Sequence, residues 1–278
     1  MGIGQMIFSK YHGLGNDFIL VETRLNPGCD CRALAVPLCD RRRGIGADGI
    51  ITIEALGGPE FAMHIYNSDG SEAEMCGNGT RCVARYIDAH RLAPGHKEFV
   101  LHTLAGLIRP RVYENGLVRV DMGIPRLTRG EIPVAGSASD TAVDMTLEAA
   151  GRSFTGTAVS MGNPHFVIFV DDMKTVELER WGAALEVHPA FPRKCNIEFA
   201  QMLAPDHIRM RVWERGCGVT AACGTGTCAT AVAARLTGRA KGMVNVTLDG
   251  GDLEIDYAAD RHVYMTGPAV CVFTGETA

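Results

Sequence analysis

Two stretches of the chain carry a helical hydrophobic period, and both follow the same kind of turn. Ala229, Val232, Ala233 and Leu236 recur at i, i+3, i+4 and i+7, the spacing that gathers apolar side chains on one face of a helix. Gly238 stands just past them, where a left-handed residue can end the helix. Cys82, Val83, Tyr86 and Ile87 give a similar face, with Pro94-Gly95 beyond its end. Elsewhere the apolar positions run short and alternating, as over residues 166–170 and 253–257, which predicts strands. His64-Ile65-Tyr66 and Arg211-Val212-Trp213 read as the ends of two more strands, each leading through a polar loop into one of the helices. The pattern predicts a mixed α and β protein with one helix per half, wrapped by strands.

The two helical stretches are copies. Met75-Cys76-Gly77-Asn78-Gly79-Thr80 parallels Ala222-Cys223-Gly224-Thr225-Gly226-Thr227, and 223 − 76 = 147. Gly15-Asn16 in GLGNDFILV and Gly162-Asn163 in SMGNPHFVIFV keep that offset, with no net insertion between the motifs. A fixed period of this kind marks related structural units, so the sequence predicts two halves related by a pseudo-twofold axis. Their joint falls near Gly123-Ile124-Pro125. The expected domains are residues 1–122, joined by 267–278, and residues 123–266. A segment of small and polar residues, 136–140, lies inside the second half.

Composition narrows the function. With 46% hydrophobic and 21% charged residues among 278, the chain can bury a large core, which excludes a disordered protein. Net charge is −5, and the one basic run, Arg41-Arg42-Arg43, reads as a solvated loop, so no nucleic-acid partner is expected. No stretch approaches the ~18 apolar residues of a membrane span. The opening MGIGQMIFSKYHGLGNDF lacks a basic segment followed by an apolar one. These features predict a soluble, cytoplasmic protein. Its ten cysteines then read as reduced thiols. No CxxC pair occurs, and the Cys29-x-Cys31 and Cys39 spacing brings no histidine within a ligand turn, so no metal is expected. No lysine context for pyridoxal phosphate, no dinucleotide fingerprint after a strand and no P-loop is present. Gly44-Ile45-Gly46-Ala47-Asp48-Gly49 lacks the flanking βαβ unit. No cofactor is expected.

What remains is two cysteines, each at or just before a helix N-terminus, each followed by glycines. The helix dipole and unpaired N–H groups favour a thiolate there, and the missing Cβ atoms let an anion approach the backbone. Two such sites on one substrate suit inversion at carbon, with one thiolate removing a proton and the opposite thiol returning one. Each well-aimed N–H donor can lower the barrier by ~3 kcal/mol as carbanion charge spreads onto a carboxylate.

At this point the chain resembles a known family. KYHGLGNDF, NSDGSEAEMCGNGTRC, VSMGNPHF and ERGCGVTAACGTGTC are similar to segments of diaminopimelate epimerases, and the likeness runs from residue 6 to about residue 267. The resemblance implies an α/β (α+β) fold of two pseudo-symmetric domains, each a mixed, mostly antiparallel sheet wrapped around a central helix. It implies epimerisation of LL-2,6-diaminopimelate to meso-diaminopimelate, a step towards lysine and peptidoglycan, with no cofactor or metal and in a homodimer. By motif it puts the acid/base pair on Cys76 and Cys223. The reacting carboxylate falls on the N–H groups of Gly77, Asn78, Gly224 and Thr225. Asn16, Asn67, Asn163 and Asn196 match substrate-holding asparagines; Glu214 and Arg215 match the ERG motif; His165 and Glu214 match positions that tune the thiols. Arg215 can fork onto a distal carboxylate while Glu214 takes an ammonium.

Two positions depart from that pattern: Val219 replaces a glutamate in Gly218-Val219-Thr220, and Gly49 replaces a glutamine that some members carry. Cys217 is a third thiol beside Arg215. The alternatives are a two-cysteine racemase of another amino acid, which would not require Arg215, and a carboxylate-binding protein that keeps the fold without the chemistry.

Overall fold

The structure, a computed structural model, describes residues 5–277. It divides into two compact units: one runs to Asp121 and takes in the chain again from Thr266, and the other is Met122–Met265. In the first unit the chain forms β1 (Ile7–Gly13), β2 (Asn16–Glu22), α1 (Cys31–Cys39), β3 (Gly49–Gly57), β4 (Glu60–Asn67), β5 (Glu72–Ala73), α2 (Gly77–Ala89), β6 (Val100–Thr103), β7 (Gly106–Ile108), β8 (Arg111–Val112) and β9 (Val118–Asp121). The second holds β10 (Met145–Ala149), β11 (Arg152–Ser160), β12 (Pro164–Phe169), α3 (Leu178–Glu186), β13 (Asn196–Ala204), β14 (His207–Glu214), β15 (Gly218–Thr220), α4 (Gly224–Leu236), β16 (Val244–Leu248) and β17 (Gly251–Tyr257). β18 (Val263–Gly267) carries the chain back, and β19 (Val270–Glu276) completes the first unit.

Both sheets are mixed and mostly antiparallel. In the first unit the order is β19-β1-β2-β3-β4-β6-β7, with β5 on β4; the β2–β3 and β4–β6 pairs are parallel. In the second it runs β10-β11-β12-β13-β14-β16-β17-β18, with β15 on β14; here β12–β13 and β14–β16 are parallel. The 147-residue offset of the sequence reappears residue for residue. It carries α1 onto α3, β3 onto β13, β4 onto β14 and α2 onto α4 with the same bounds. Register follows too: Phe18 pairs with Gly49 across β2–β3, and His165 pairs with Asn196 across β12–β13.

The central helices lie where the periodicity puts them. α2 packs on β1, β2, β3 and β19 and on the β8–β9 ribbon, burying Cys82, Val83, Tyr86 and Ile87. α4 packs on β11, β12, β13, β16 and β17 through a small-residue face that includes Ala229, Val232 and Ala233. Gly238 follows at φ 72°, the left-handed stop. Fully burying a side chain such as Val83 or Ile87 contributes about 1.5–3 kcal/mol.

One helix per half is an undercount. α1 and α3 are each nine residues, and Pro37 and Gly182 lie inside them, both breakers in a local reading. Their support is tertiary. α1 buries Cys31, Ala35, Leu38 and Cys39 against a cluster with Phe8, Ile19 and Ile50. α3 buries Leu178, Trp181 and Leu185 with Phe154, Phe166 and Phe199.

The third residue of each central helix is a glycine under pressure. A Cβ on Gly79 would meet the flexible tip of Ile51 at 2.8 Å; one on Gly226 would stand 2.5 Å from Glu198 Oε1 and 3.2 Å from Cys223 Sγ. Replacing helical glycine by alanine gains roughly 1 kcal/mol of propensity, whereas overpacking costs about 1–3 kcal/mol. Urea unfolding is expected to show Gly79→Ala near neutral and Gly226→Ala clearly destabilised, because a hydrogen-bonded carboxylate cannot yield as a methyl can.

Candidate active site at two cysteine-capped helices

Each central helix begins on a thiol. Cys76 is extended (φ −143°, ψ 116°), and its Sγ accepts from Gly79 N at 3.4 Å. Cys223 (φ −128°, ψ 107°) does the same with Gly226 N at 3.4 Å. Sulfur thus occupies the capping position usually held by a serine or aspartate oxygen. Helix geometry leaves the N–H groups of Gly77, Asn78, Gly224 and Thr225 without intrahelical acceptors, so each thiol sits beside two donors suited to an anion.

In the first unit the thiol is joined to a polar chain. Cys76 Sγ lies 3.6 Å from Asn16 Oδ1, which also accepts from Asn78 Nδ2 at 3.1 Å. Asn78 Oδ1 accepts from Arg81 Nη2 at 2.9 Å, and Asn16 Nδ2 donates to Asp48 Oδ2 at 2.7 Å. Behind Asn16, Asp17 pairs with Lys10 at 2.8 Å and Arg41 at 2.7 Å. Burial works against ionising Asp17, but Arg41 and Lys10 hold its carboxyl down to about 2. Asn67 stands apart from this chain: its Nδ2 donates to Ser71 Oγ at 2.9 Å in the loop after β4. Gly49 starts β3 opposite Asn67, and a Cβ there would lie 2.7 Å from Tyr66 O, so this backbone has no room for a glutamine.

The second unit surrounds its thiol with titratable groups. Burial pushes Cys223 well above the ordinary thiol range, and the carboxylates of Glu214 and Glu198 push it further. Glu214, at the end of β14, is itself raised by burial, partly offset by the hydroxyl of Thr220, which donates to its Oε1. Cys223 Sγ also lies 3.6 Å from Thr225 Oγ1. His165 is fully enclosed, its Nδ1 2.6 Å from Glu198 Oε1 and its Nε2 3.0 Å from Asn163 Oδ1. Asn196 uses both ends of its amide on the backbone, donating to Pro164 O at 2.8 Å and accepting from Arg215 N at 2.9 Å. It therefore sets the turn that carries Arg215, whose guanidinium is exposed and touches Arg193 O at 3.1 Å. Val219 is exposed on β15 opposite Trp213, and Cys217 is exposed in the turn before it.

Glu198 is the residue that motif reading missed. Its signal was a carboxylate between Ile197 and Phe199 in a strand buried along most of its length. Asp48, which accepts from Asn16 Nδ2, and Asp17, the chain neighbour of Asn16, lie within the quoted segments without being singled out; the fold alone brings Asp48 to Asn16. Among the described residues, His165, Glu198 and Cys223 form one group whose metal-capable atoms lie within 4.8 Å of one another. The histidine and carboxylate already bond each other there.

The family model described as diaminopimelate epimerase matches residues 8–128 and 157–272. A diaminopimelate epimerase of Synechococcus sp. (strain JA-3-3Ab) is 51% identical over 281 residues, covering 99% of both chains. One from Moorella thermoacetica is 52% identical over 278 residues, covering 98% of this chain and 99% of its own. Among solved structures, a Bacillus anthracis phenazine biosynthesis protein of the PhzF family superposes with TM-score 0.68 at 14% identity, covering 99% of each chain. A hydroxyproline epimerase from Agrobacterium vitis gives 0.65 at 16%, covering 98% of this chain and 91% of its own. The latter two share the fold.

The raised Cys223 thiol has a signed consequence. An acid shifted upwards keeps its proton longer, so Cys223 is expected to stay a thiol at neutral pH. Its alkylation by iodoacetamide should rise only at pH above that of a free thiol, ~8.5. Glu214→Gln removes one facing carboxylate and should bring that onset down, about tenfold in rate at fixed pH. Site-resolved mass spectrometry of alkylated protein across pH measures both.

Proposed function

The chain belongs to the diaminopimelate epimerase family, and from that membership we propose that Cys76 and Cys223 act as base and acid on one α-carbon of diaminopimelate. The enzyme is an isomerase that interconverts LL- and meso-diaminopimelate. The observation that carries the two-thiol reading is that both cysteines cap equivalent helices, each sulfur at 3.4 Å from the N–H of a glycine three residues on. A thiolate takes the α-proton from one face, the electron pair spreads onto the adjacent carboxylate, and the opposite thiol returns a proton. The N–H groups of Gly77, Asn78, Gly224 and Thr225 receive the carboxylate as its charge grows. No metal or cofactor takes part.

Asn16, Asn67 and Asn163 present amide groups to the substrate, and Asn196 contributes by holding Arg215. Arg215, exposed and positively charged, takes the distal carboxylate, with Glu214 beside it for the ammonium. His165 and Glu214 set the proton affinity of the thiols. The reaction serves lysine and peptidoglycan precursor synthesis in the cytoplasm. Two copies of the chain form a homodimer, a reading supported by β19, an edge strand that exposes Val270, Val272 and Phe273.

Reduced protein incubated with LL-diaminopimelate in deuterated water is expected to yield meso product carrying one α-deuterium. No exchange with thiols fully reduced would overturn the reading, and exchange with a different amino acid would redirect it to a racemase of that substrate. Cys76→Ser and Cys223→Ser should each lower kcat by at least ~100-fold, as loss of a positioned acid or base does. Arg215→Ala removes a charge-assisted pair of about 1.5–3 kcal/mol and should lower kcat/KM by some ten- to a hundredfold, chiefly through KM. Phe273→Asp should turn a dimer into a monomer by light scattering; unchanged mass would remove β19 from the interface.

A further inference from the structure

The two thiols do not meet the same surroundings. Stepping back 147 residues, His165 falls on Phe18 and Glu198 on Ile51, and all four side chains are buried. Under Cys76 the space against the helix is hydrocarbon: Ile51 Cδ1 is the nearest atom to where a Cβ on Gly79 would stand. Under Cys223 the same space holds Glu198 Oε1. Its flanking residues Ile197 and Phe199 join the hydrophobic core, whereas the carboxylate lies against the start of α4. Oε1 meets His165 Nδ1 at 2.6 Å, and Oε2 finds no hydrogen-bond partner among the described residues.

A buried carboxylate with one idle oxygen is costly where nothing compensates it. The first unit, with Ile51 in that position, packs the same helix on the same strand without the expense. We propose that Glu198 is a positioning residue for proton transfer at Cys223: it orients His165 and sets the charge that the thiol faces. The proposal rests on the two-thiol reading above. Asn163 Oδ1 has no hydrogen to give, so His165 Nε2 carries one and donates to it. One more proton is shared between Nδ1 and Oε1. On Nδ1 it leaves a carboxylate against the Cys223 thiol. On Oε1 it leaves a neutral carboxyl and a neutral imidazole, and the carboxyl no longer repels a Cys223 thiolate. The proton moves over one hydrogen bond, nothing else is gained or lost, and the charge beside the sulfur follows the sulfur's own state. The titratable groups facing Glu198 are His165 from β12, Cys195 before β13, Glu214 from β14 and Cys223 at α4, with Arg215 acting on Cys195.

Glu198→Gln keeps the size and a bond to Nδ1 but removes the charge and the shared proton. Expected are Cys223 alkylation at neutral pH about tenfold faster, an epimerisation pH profile displaced to lower pH, and kcat lowered at least about tenfold with KM within about twofold. Glu198→Asp, which restores the charge, should bring the alkylation onset back towards the parent. Alkylation and pH profile both unchanged in Glu198→Gln would overturn the proposal and leave Glu198 a packing residue. Where the variants do not fold, nitrogen NMR of histidine-labelled parent protein decides: His165 should carry a hydrogen on Nε2, donated to Asn163 Oδ1, and a bare Nε2 would overturn the proposal. Deuterium exchange by the parent enzyme is read in parallel. Its absence would overturn the two-thiol reading, and with it any role in catalysis for the coupling of Glu198 to Cys223 that alkylation reports.

Discussion

A helix must find acceptors for its first N–H groups, and in both units of this protein a cysteine supplies one. That single requirement ties folding to chemistry. A sulfur held by the N–H of the third helical residue is fixed in direction, close to the positive end of the helix, and leaves the two preceding N–H groups for another anion. The third residue is glycine in both helices, and at Gly226 the carboxylate of the strand beneath leaves no room for a Cβ. Helix packing on the sheet, turn composition and the placing of the thiol are therefore one constraint, satisfied twice.

The duplication is close in frame and loose in content. Helices, strands and even the parallel register map across 147 residues, yet the side chains around the two sulfurs differ in kind. The first unit surrounds its cap with amides braced by an ion cluster, in which Lys10 and Arg41 keep Asp17 charged. The second surrounds its cap with acids and a buried imidazole. Inversion of a carbon needs one partner that holds a proton while the other lacks one. Two identical environments would have to break their symmetry at each turnover, whereas here it is broken in the covalent sequence.

Much of this was legible in the chain. The offset between Cys76 and Cys223, the helical periods after them and the stop at Gly238 are local signals, and local signals survive in a single sequence. The short helices were not legible, because α1 contains Pro37 and α3 contains Gly182, and only burial against the sheets keeps them formed. Glu198 and Asp48 were not legible as site residues for a related reason. Their meaning lies in what stands opposite them, Cys223 across Gly226 and Asn16 across a loop, and such pairing is a property of the folded chain. Asn196 was found by motif, but its two backbone bonds, which make it a brace for Arg215, could be seen only in three dimensions.

The strand order has a consequence for how the molecule is made. β1 is sandwiched between β2 and β19, and its ladder with β19 joins Ile7 to Glu276. Emerging vectorially from a ribosome, the second unit is contiguous and has all its strands in hand once β18 is out. The first must hold one side of β1 unpaired until β19 has been made. Until then, that bare backbone edge is open to the wrong neighbour, and a nascent chain that stalls before β19 exposes it for as long as the stall lasts.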